Sequence, residues 1–443
     1  MTAVSQHSAI EQGLALATET SVNSATQTRA REAWAQSPWP TRKTEAWKYT
    51  PVKAIADGDF MAPPATAPIT EGVADIYAIE GLNALDLVFV DGQFQASLST
   101  DLTALPTGLS IIALADASEQ VRSQYFNKAA GEHATLFGEL NTAAIREGFV
   151  VEVAKNADIK QPVHIVNIAT QAKACMAAAR VLWLQAPSSR ATLVEHFSSR
   201  EGSTVLTNSI TELFVGENAQ CNHYRLHLES EENLHIGGVY SQVEKNARLN
   251  SFYLAMGANL QRVDVVTQFE GEGAEAINNG VYLPRNKQLT DFHTCIEHKV
   301  PHCNSNEIFR GIIGDSARAV FNGRIHIHKD AQKTLAELSN KNLLTSEKAE
   351  VNTKPELEIY ADDVRCAHGA TIAKIDPLAM HYLRTRGISK DEAQVMLSFG
   401  FINELIEQLD NEAIVTYLRP VIAGRFAKDP ALAEHLLTPI DEH

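Results

Sequence analysis

A cysteine and a histidine two residues apart are the first pair in this chain whose chemistry suggests a site. They are Cys366 and His368, within the segment 362–371. Successive side chains of an extended strand alternate between its faces, so this thiol and this imidazole share one face, about 6.6 Å apart. Such a pair suits iron or an iron–sulfur cluster, but two ligands do not complete a site. A metal here needs further ligands, most simply from a second chain. The alternative interpretation is a buried thiol beside a hydrogen-bonded histidine.

A second set of histidine and cysteine residues is spaced for the outer face of neighbouring strands. Apolar residues alternate with His326 and His328, which predicts that both imidazoles point outward. His293 and Cys295 share one parity, and the interval from His293 to His326 is near one structural repeat plus a short insertion. If the repeats align, these four side chains form a ladder that binds iron or another divalent ion weakly. The alternative is a row of ordinary solvated polar residues.

Motifs for nucleotide binding and for nucleophilic hydrolysis are missing from the sequence. There is no GxxxxGK[ST], no GxGxxG joining a strand to a helix, and no GxSxG. The five cysteines form no CxxC pair, and such a scattered set is most simply a set of free thiols in a reducing compartment. Any ATP-driven step is therefore expected to need another subunit that binds the nucleotide.

Composition and charge restrict the class of protein. Hydrophobic residues make up 44% of the chain and charged residues 21%, as in an ordinary folded protein. The formal net charge is −16, which disfavours nucleic acid and anionic membranes as partners because both repel an acidic surface. No apolar run approaches the ~18 residues of a membrane span, and the first residues do not resemble a signal peptide. A cytoplasmic location is expected.

Short strand-like runs separated by small turns recur through residues 149–375. Three of these turns carry the alanines Ala219, Ala247 and Ala274, which follow one another at an almost constant interval. A fixed period of this size is typical of a solenoid, whose repeats bury their apolar faces by stacking on one another. Because the runs are strand-like, the prediction is a β-helix core of about seven coils. The alternative is a large antiparallel sandwich.

Mixed and helical regions are predicted on either side of this core. Residues 1–148 form an N-terminal helical and mixed region, and residues 376–443 form a C-terminal helical domain. Asp376 followed by Pro377 is typical of a helix start, and the segment 389–392 has the pattern of a capping box. Other predicted elements are helices near 14–34, 117–130, 133–146, 412–426 and 430–437, a strand at 85–90, and a linker at 61–71.

Three longer stretches carry a resemblance to a known family. Residues 41–50 (TRKTEAWKYT), 349–364 (AEVNTKPELEIYADDV) and 382–388 (YLRTRGI) resemble elements of the SufB/SufD family of iron–sulfur cluster assembly proteins. SufB-like chains show Glu-His-Glu where this chain has Ala-His-Gly around His368, and they carry a cysteine upstream that the segment 343–365 lacks. The resemblance is therefore to the SufD branch.

This resemblance implies a right-handed parallel β-helix and a non-catalytic role in a complex of one SufB, one SufD and two copies of the ATPase SufC. It implies that the helical tail docks SufC, with Arg386, Gly387 and Ile388 as the candidate contact region, and that the solenoid pairs with SufB. His368 is expected at the SufB–SufD interface, where the nascent cluster forms, with Cys366 beside it. Iron or the cluster is expected there only transiently, not stably on the isolated chain. The oligomeric state of the chain without SufB stays open, with a homodimer as one alternative.

Two other functions stay open at this stage. A β-helix polysaccharide lyase or hydrolase needs acidic groups along a groove, and Asp362 and Asp363 are the only adjacent aspartates. A self-sufficient iron–sulfur scaffold would hold a stable cluster after anaerobic reconstitution of the chain alone.

Overall fold

The computed structural model describes residues 24–61 and 71–426. The predicted helix at 430–437 and most of the predicted linker at 61–71 lie outside the described residues. None of the described helices is long and apolar enough to cross a membrane.

The described chain is mainly β, with helices at both ends. The strands are β1 (Leu85–Val90), β2 (Gln93–Phe94), β3 (Leu109–Ala113), β4 (Phe149–Val153), β5 (Val163–Ala169), β6 (Cys175–Gln185), β7 (Arg190–Ser199), β8 (Val205–Val215), β9 (Gln220–His227), β10 (Leu234–Val243), β11 (Arg248–Ala255), β12 (Leu260–Phe269), β13 (Glu275–Tyr282), β14 (Leu289–His298), β15 (Asn304–Ile313), β16 (Arg318–Ile327), β17 (Leu335–Leu344), β18 (Glu350–Ile359) and β19 (Arg365–Lys374). The α-helices are α1 (Ser24–Gln36), α2 (Lys53–Ala56), α3 (Ala74–Tyr77), α4 (Glu119–Tyr125), α5 (Leu136–Ala144), α6 (Pro377–Thr385), α7 (Lys390–Glu407) and α8 (Glu412–Phe426).

The strands from β4 to β19 wind into a parallel β-solenoid. Even-numbered strands stack from β4 to β18 in one sheet, here the even sheet, and odd-numbered strands stack from β5 to β19 in the other, the odd sheet. Each coil adds one strand to each sheet, which makes about eight coils. The predicted solenoid is confirmed, and the antiparallel sandwich is wrong because these ladders are parallel. The predicted coil number was about one too low because it was counted from Ala157, after β4.

The corners of the coils explain the sequence period. Asn218 and Asn246 adopt the left-handed region, with φ of 57° and 54°, and each is followed by a fully buried alanine. Asparagine tolerates this conformation better than most residues. The amide of Asn218 donates to the carbonyl of Lys245 in the next coil at 2.9 Å. Since Ala219 and Ala247 belong to the same stacked core, a small side chain recurs at each corner.

Apolar side chains fill the solenoid interior. Phe321, Ile325 and Ile327, the residues that alternate with the predicted outward histidines, are all fully buried in the central core. Phe321 pairs directly with Phe292 of the preceding coil. Both apolar alternation and stacking therefore define the inward side of β16.

Helices cover parts of both outer faces. On the even sheet, Trp34 and Trp47 pack with Phe137 over a row of leucines that includes Leu206 and Leu234. On the odd sheet, α7 and α8 pack their apolar residues over the outward side of the central strands. The last coil, formed by β18 and β19, is the coil at which both stacks end.

Candidate functional site

Cys366 and His368 lie on β19, the last strand of the odd sheet. In the ladder with β17, Ala336 pairs with Cys366 and Leu338 pairs with His368. Ala336 and Leu338 belong to the buried core of the solenoid, so the thiol and the imidazole both lie on the core-facing side of their strand. The shared face expected from strand alternation is therefore present.

Solvent reaches this side because no described coil follows β19. Cys366 is half-buried and His368 is exposed, and the side chain of Ile372 on the same strand is 51% exposed. Burial raises the pKa of the Cys366 thiol, although a hydrogen bond from the backbone of Ala336 opposes this effect. The His368 imidazole makes no hydrogen bond to any residue that the structure describes. The alternative, a buried thiol beside a hydrogen-bonded histidine, is therefore wrong, because the thiol is only half-buried and the imidazole makes no such bond to the described residues.

The two residues do not form a complete metal site by themselves. Across residues 24–61 and 71–426, no group of three metal-ligating side chains includes Cys366 or His368. A thiolate and an imidazole supply two donors, whereas iron and zinc sites with sulfur and nitrogen ligands generally have four. Further ligands for an ion at this end of the rod have to come from outside the described chain.

Helix α6 follows the solenoid as a short exposed element. It begins because Asp376 accepts a hydrogen bond from the Leu378 amide at 2.9 Å and Pro377 occupies the first turn. It buries none of its own residues, and the side chains of Leu378 and Tyr382 are 78% and 57% exposed. The helix stops at Gly387, whose φ is 88°.

The candidate contact region lies at this helix end. The guanidinium of Arg386 lies 5.0 Å from the centre of the Tyr382 ring. The amide of Ile388 donates to the carbonyl of Leu383 at 3.3 Å, which closes the turn. Arg386, Gly387 and Ile388 therefore border an exposed apolar face of α6.

The predicted ladder of histidines and Cys295 is only partly formed. The rings of His326 and His328 stack, with centroids 4.3 Å apart and planes 9° from parallel. His293 does not join them, because the register pairs it with Asn322. Its Nε2 atom lies instead 3.1 Å from a carboxylate oxygen of the buried Asp291. The expectation for His293 is therefore wrong. No insertion lengthens the coil between β14 and β16, so the residue one coil after His293 is Asn322 and not His326.

Glu297 takes the place that the sequence assigned to His293. It pairs directly with His326 across β14 and β16. Ligand atoms of Glu297, His326 and His328 all lie within 4.8 Å of one another. His133, Cys295 and Glu297 form a second such group, in which the Nε2 atom of His133 lies 3.1 Å from Glu297 Oε1. We call Glu297, His326 and His328 the β14–β16 triad.

A charged network inside the solenoid was not predicted from the sequence. The carboxylate of Glu195 accepts two hydrogen bonds of 2.8 Å from Arg225, and His223 Nε2 lies 2.8 Å from it. Burial alone would raise the pKa of Glu195, but Arg225 and His223 outweigh it and lower the pKa to about 2. The only sequence signal was the alternation of polar residues along β9. That alternation did not show which side faced inward, because Tyr224 and Leu226 lie under the C-terminal helices.

Comparisons with known proteins give the family. The family described as SUF system FeS cluster assembly, SufBD core domain, matches residues 167–401, more than half of the chain. The SufBD protein N-terminal region matches residues 8–165.

Similar proteins are found in several bacteria. A protein of Escherichia coli (strain K12) named iron–sulfur cluster assembly protein SufD is 30% identical over 388 residues, covering 85% of this chain and 86% of that protein. An iron–sulfur cluster assembly SufBD family protein of Synechocystis is 27% identical over 428 residues, covering 94% of each. A SufD of Bacillus subtilis is 27% identical over 285 residues, covering 64% of this chain and 65% of that protein. The chain therefore belongs to the SufB/SufD family of SUF-system iron–sulfur cluster assembly proteins, as a SufD-type member.

Proposed function

We propose that this chain is a non-catalytic docking subunit that joins SufB through the last coil of its solenoid and SufC through its C-terminal helices. The observation that carries the proposal is the open end of the rod. Core-facing positions of β19, including Cys366 and His368, are not covered by another described coil. An uncovered terminal coil exposes unpaired backbone groups that promote aggregation of a solenoid, and a partner subunit that covers the coil removes this hazard.

Pairing with SufB is proposed to occur along the free edge of β19. The amide of Arg365 donates to the carbonyl of Thr334, so odd-numbered residues of β19 direct their backbone groups toward β17. Even-numbered residues, among them Ala370, direct theirs to the free edge, because these directions alternate along a strand. A strand of SufB can add to this edge through main-chain hydrogen bonds.

Pairing at this edge would bring outside ligands to Cys366 and His368. In this arrangement the two side chains supply one soft donor and one imidazole, and SufB supplies the remaining ligands of a nascent cluster. Iron or the cluster is cargo held transiently at the junction. This division of ligands favours a two-subunit site over a self-sufficient scaffold. The family match leaves the polysaccharide lyase without support.

Docking of SufC is proposed at α6 and the turn that follows it. Leu378 and Tyr382 present a small apolar surface beside Arg386, and exposed tyrosine and arginine are typical anchors of protein interfaces. SufC would hydrolyse ATP, and the motion would change the SufB–SufD junction. Removing the whole helical tail is a poor test, because α7 and α8 bury apolar residues against the odd sheet.

The experiment compares two substitutions at one edge position. Ala370→Pro removes an edge amide that faces away from β17, where proline is compatible with a strand, whereas Ala370→Ser keeps that amide. Both variants are co-expressed with SufB and SufC, and SufB recovery is measured after affinity purification. We expect the serine variant to retain SufB and the proline variant to lose it, with equal thermal unfolding midpoints. Equal SufB recovery for the two folded variants would contradict pairing at this edge.

A further inference from the structure

We propose that the β14–β16 triad, Glu297, His326 and His328, binds one divalent transition-metal ion on the outer face of the even sheet. Two imidazoles and one carboxylate form a ligand set that suits Fe²⁺ and Zn²⁺ and leaves a coordination position open for water or an incoming ligand. The proposal concerns the isolated chain and does not rest on the proposed docking function.

The backbone holds the three ligands in register. Glu297 and His326 are direct partners in the parallel ladder between β14 and β16, where neighbouring strands lie about 4.8 Å apart. His328 follows two residues after His326 on the same side, and its amide donates to the carbonyl of His298 at 2.9 Å. The ligand atoms are therefore within 4.8 Å of one another before any ion binds. One of the stacked rings has to turn toward the carboxylate, which the partial exposure of both histidines allows.

The donor atoms of the triad differ in the contacts that they already make. The Oε1 atom of Glu297 lies 3.7 Å from His326 Nδ1 and 3.1 Å from His133 Nε2, so the carboxylate faces the imidazole of its partner in the ladder. The Nδ1 atom of His326 accepts a hydrogen bond from Arg324 at 3.1 Å, so an ion that binds at this atom has to displace that contact. The Nε2 atom of His328 is buried and makes no hydrogen bond to any described residue.

His133 orients the carboxylate from a separate loop. The amides of Asn127, Lys128 and Ala129 all donate to Glu212, which fixes this loop on the even sheet. His133 Nε2 then lies 3.1 Å from Glu297 Oε1. An imidazole that holds a metal-ligating carboxylate in place is a common feature of the surroundings of metal sites.

Two cations compete with a metal ion for the triad. Arg324 donates to His326 Nδ1 at 3.1 Å, and Lys299 lies 3.9 Å from Glu297 Oε2. Each has another partner: Arg324 donates to Glu358 at 2.7 Å, and Lys299 donates to Glu270 at 2.6 Å. Both side chains are about one-third exposed, so an ion can displace them without leaving a buried charge unpaired.

A second group of possible metal ligands lies inside the solenoid, and its contacts show why the triad is the better candidate. His227, Glu229 and His235 also bring ligand atoms within 4.8 Å, but all three are buried. The Nε2 atom of His227 accepts a hydrogen bond from the buried Arg225, so its proton is on the Nδ1 atom that faces Glu229. That imidazole has no lone pair to offer at the centre of the group.

The test is a Co²⁺ titration of the purified full-length chain, followed by visible absorption, with Zn²⁺ affinity measured by competition with a chromophoric chelator. We expect one ion per chain, and we expect Glu297→Gln and His328→Ala each to weaken binding by roughly 100-fold or more. His293→Gln, from the position that the sequence suggested and the register excludes, and His302→Asn, a turn histidine, should both bind as the parent does.

Three outcomes would overturn the proposal. The first is the absence of a one-to-one site, and the second is equal affinity in the parent and in both folded triad variants, which would mean adventitious binding only. The third is loss of binding in a Cys366→Ser, His368→Ala double variant, which would assign the ion to the end of the rod. Circular dichroism and thermal unfolding of each variant show whether a loss reflects misfolding.

Discussion

Cys366 lies directly beside Ala336 in the last ladder of the odd sheet, on the side that faces the buried core. In every earlier coil the corresponding side is covered by the coil that follows. No coil covers β19, so Cys366 is only half-buried and His368 is exposed, although both occupy core-facing positions of the strand. This relationship makes the rod end suitable for completion by another subunit.

His368→Ala is expected to abolish cluster assembly without affecting the fold. The side chain is exposed, so the change in the free energy of unfolding should stay within about 0.5 kcal/mol. SufB and SufC should still co-purify with the variant, whereas cluster formation by the complex should fall to the background level. The control is His302→Asn, which changes a histidine in a left-handed turn position that asparagine tolerates. Full assembly activity in the His368 variant would remove this imidazole from the mechanism.

Tyr382→Glu is expected to weaken SufC binding by roughly 10-fold or more, because it places a charge in the exposed apolar face of α6. The helix buries none of its residues, so the unfolding midpoint should not change. Binding of purified SufC is measured by calorimetry. His381→Ala, an exposed substitution on the same helix, should bind SufC as the parent does. If both variants bind equally well, the docking surface lies elsewhere on the tail.

Glu307→Gln is expected to stabilise the protein at alkaline pH. Burial raises the pKa of Glu307 to about 8, and only the nearby Thr294 hydroxyl opposes this effect. The unfolded pKa is near 4.3, so between these values the folded chain holds a proton that the unfolded chain has released. Stability should therefore fall as pH rises through this window, by at most about 1.4 kcal/mol per pH unit, and the glutamine variant should lose this dependence.

Chemical denaturation at several pH values measures this effect. The matched control is Glu272→Gln, which changes an exposed glutamate in a turn and should keep the parent's pH dependence. A glutamine variant at position 307 with the same slope as the parent would show that this carboxyl group is ionised in the folded state.

Ala247→Leu is expected to destabilise the solenoid by about 1–3 kcal/mol, because the alanine is fully buried where consecutive coils stack. The added side chain has no space unless the neighbouring corners move apart. Lys245→Leu introduces a leucine two positions earlier, at an exposed site. It should change the free energy of unfolding by no more than about 0.5 kcal/mol. Comparable denaturation midpoints for the two variants would mean that the corners are less tightly packed than the structure indicates.

Local patterns predicted the recurring strands of the core and the limits of several elements outside it. The strand at Leu85–Val90 and the helix at Glu412–Phe426 have the predicted limits, and the Ser389 hydroxyl caps α7 by accepting from the Glu392 amide. These features depend on residues a few positions apart, so the local sequence contains the information. The shared face of Cys366 and His368 follows in the same way from the alternation of a strand.

Contacts between distant segments required the tertiary structure. The partner of His326 depends on the length of the whole coil between β14 and β16. The length expected from the sequence was a few residues too long and therefore placed His293, rather than Glu297, beside His326. His133 reaches the same place from a loop that precedes the solenoid in the chain, which no spacing rule contains. Alternation alone also failed for β9, because helices cover the outer side of the strand and its charged residues point inward. The local geometry of a strand determines which residues share a face. The length of the coils and the packing of distant segments determine which residues that face contacts.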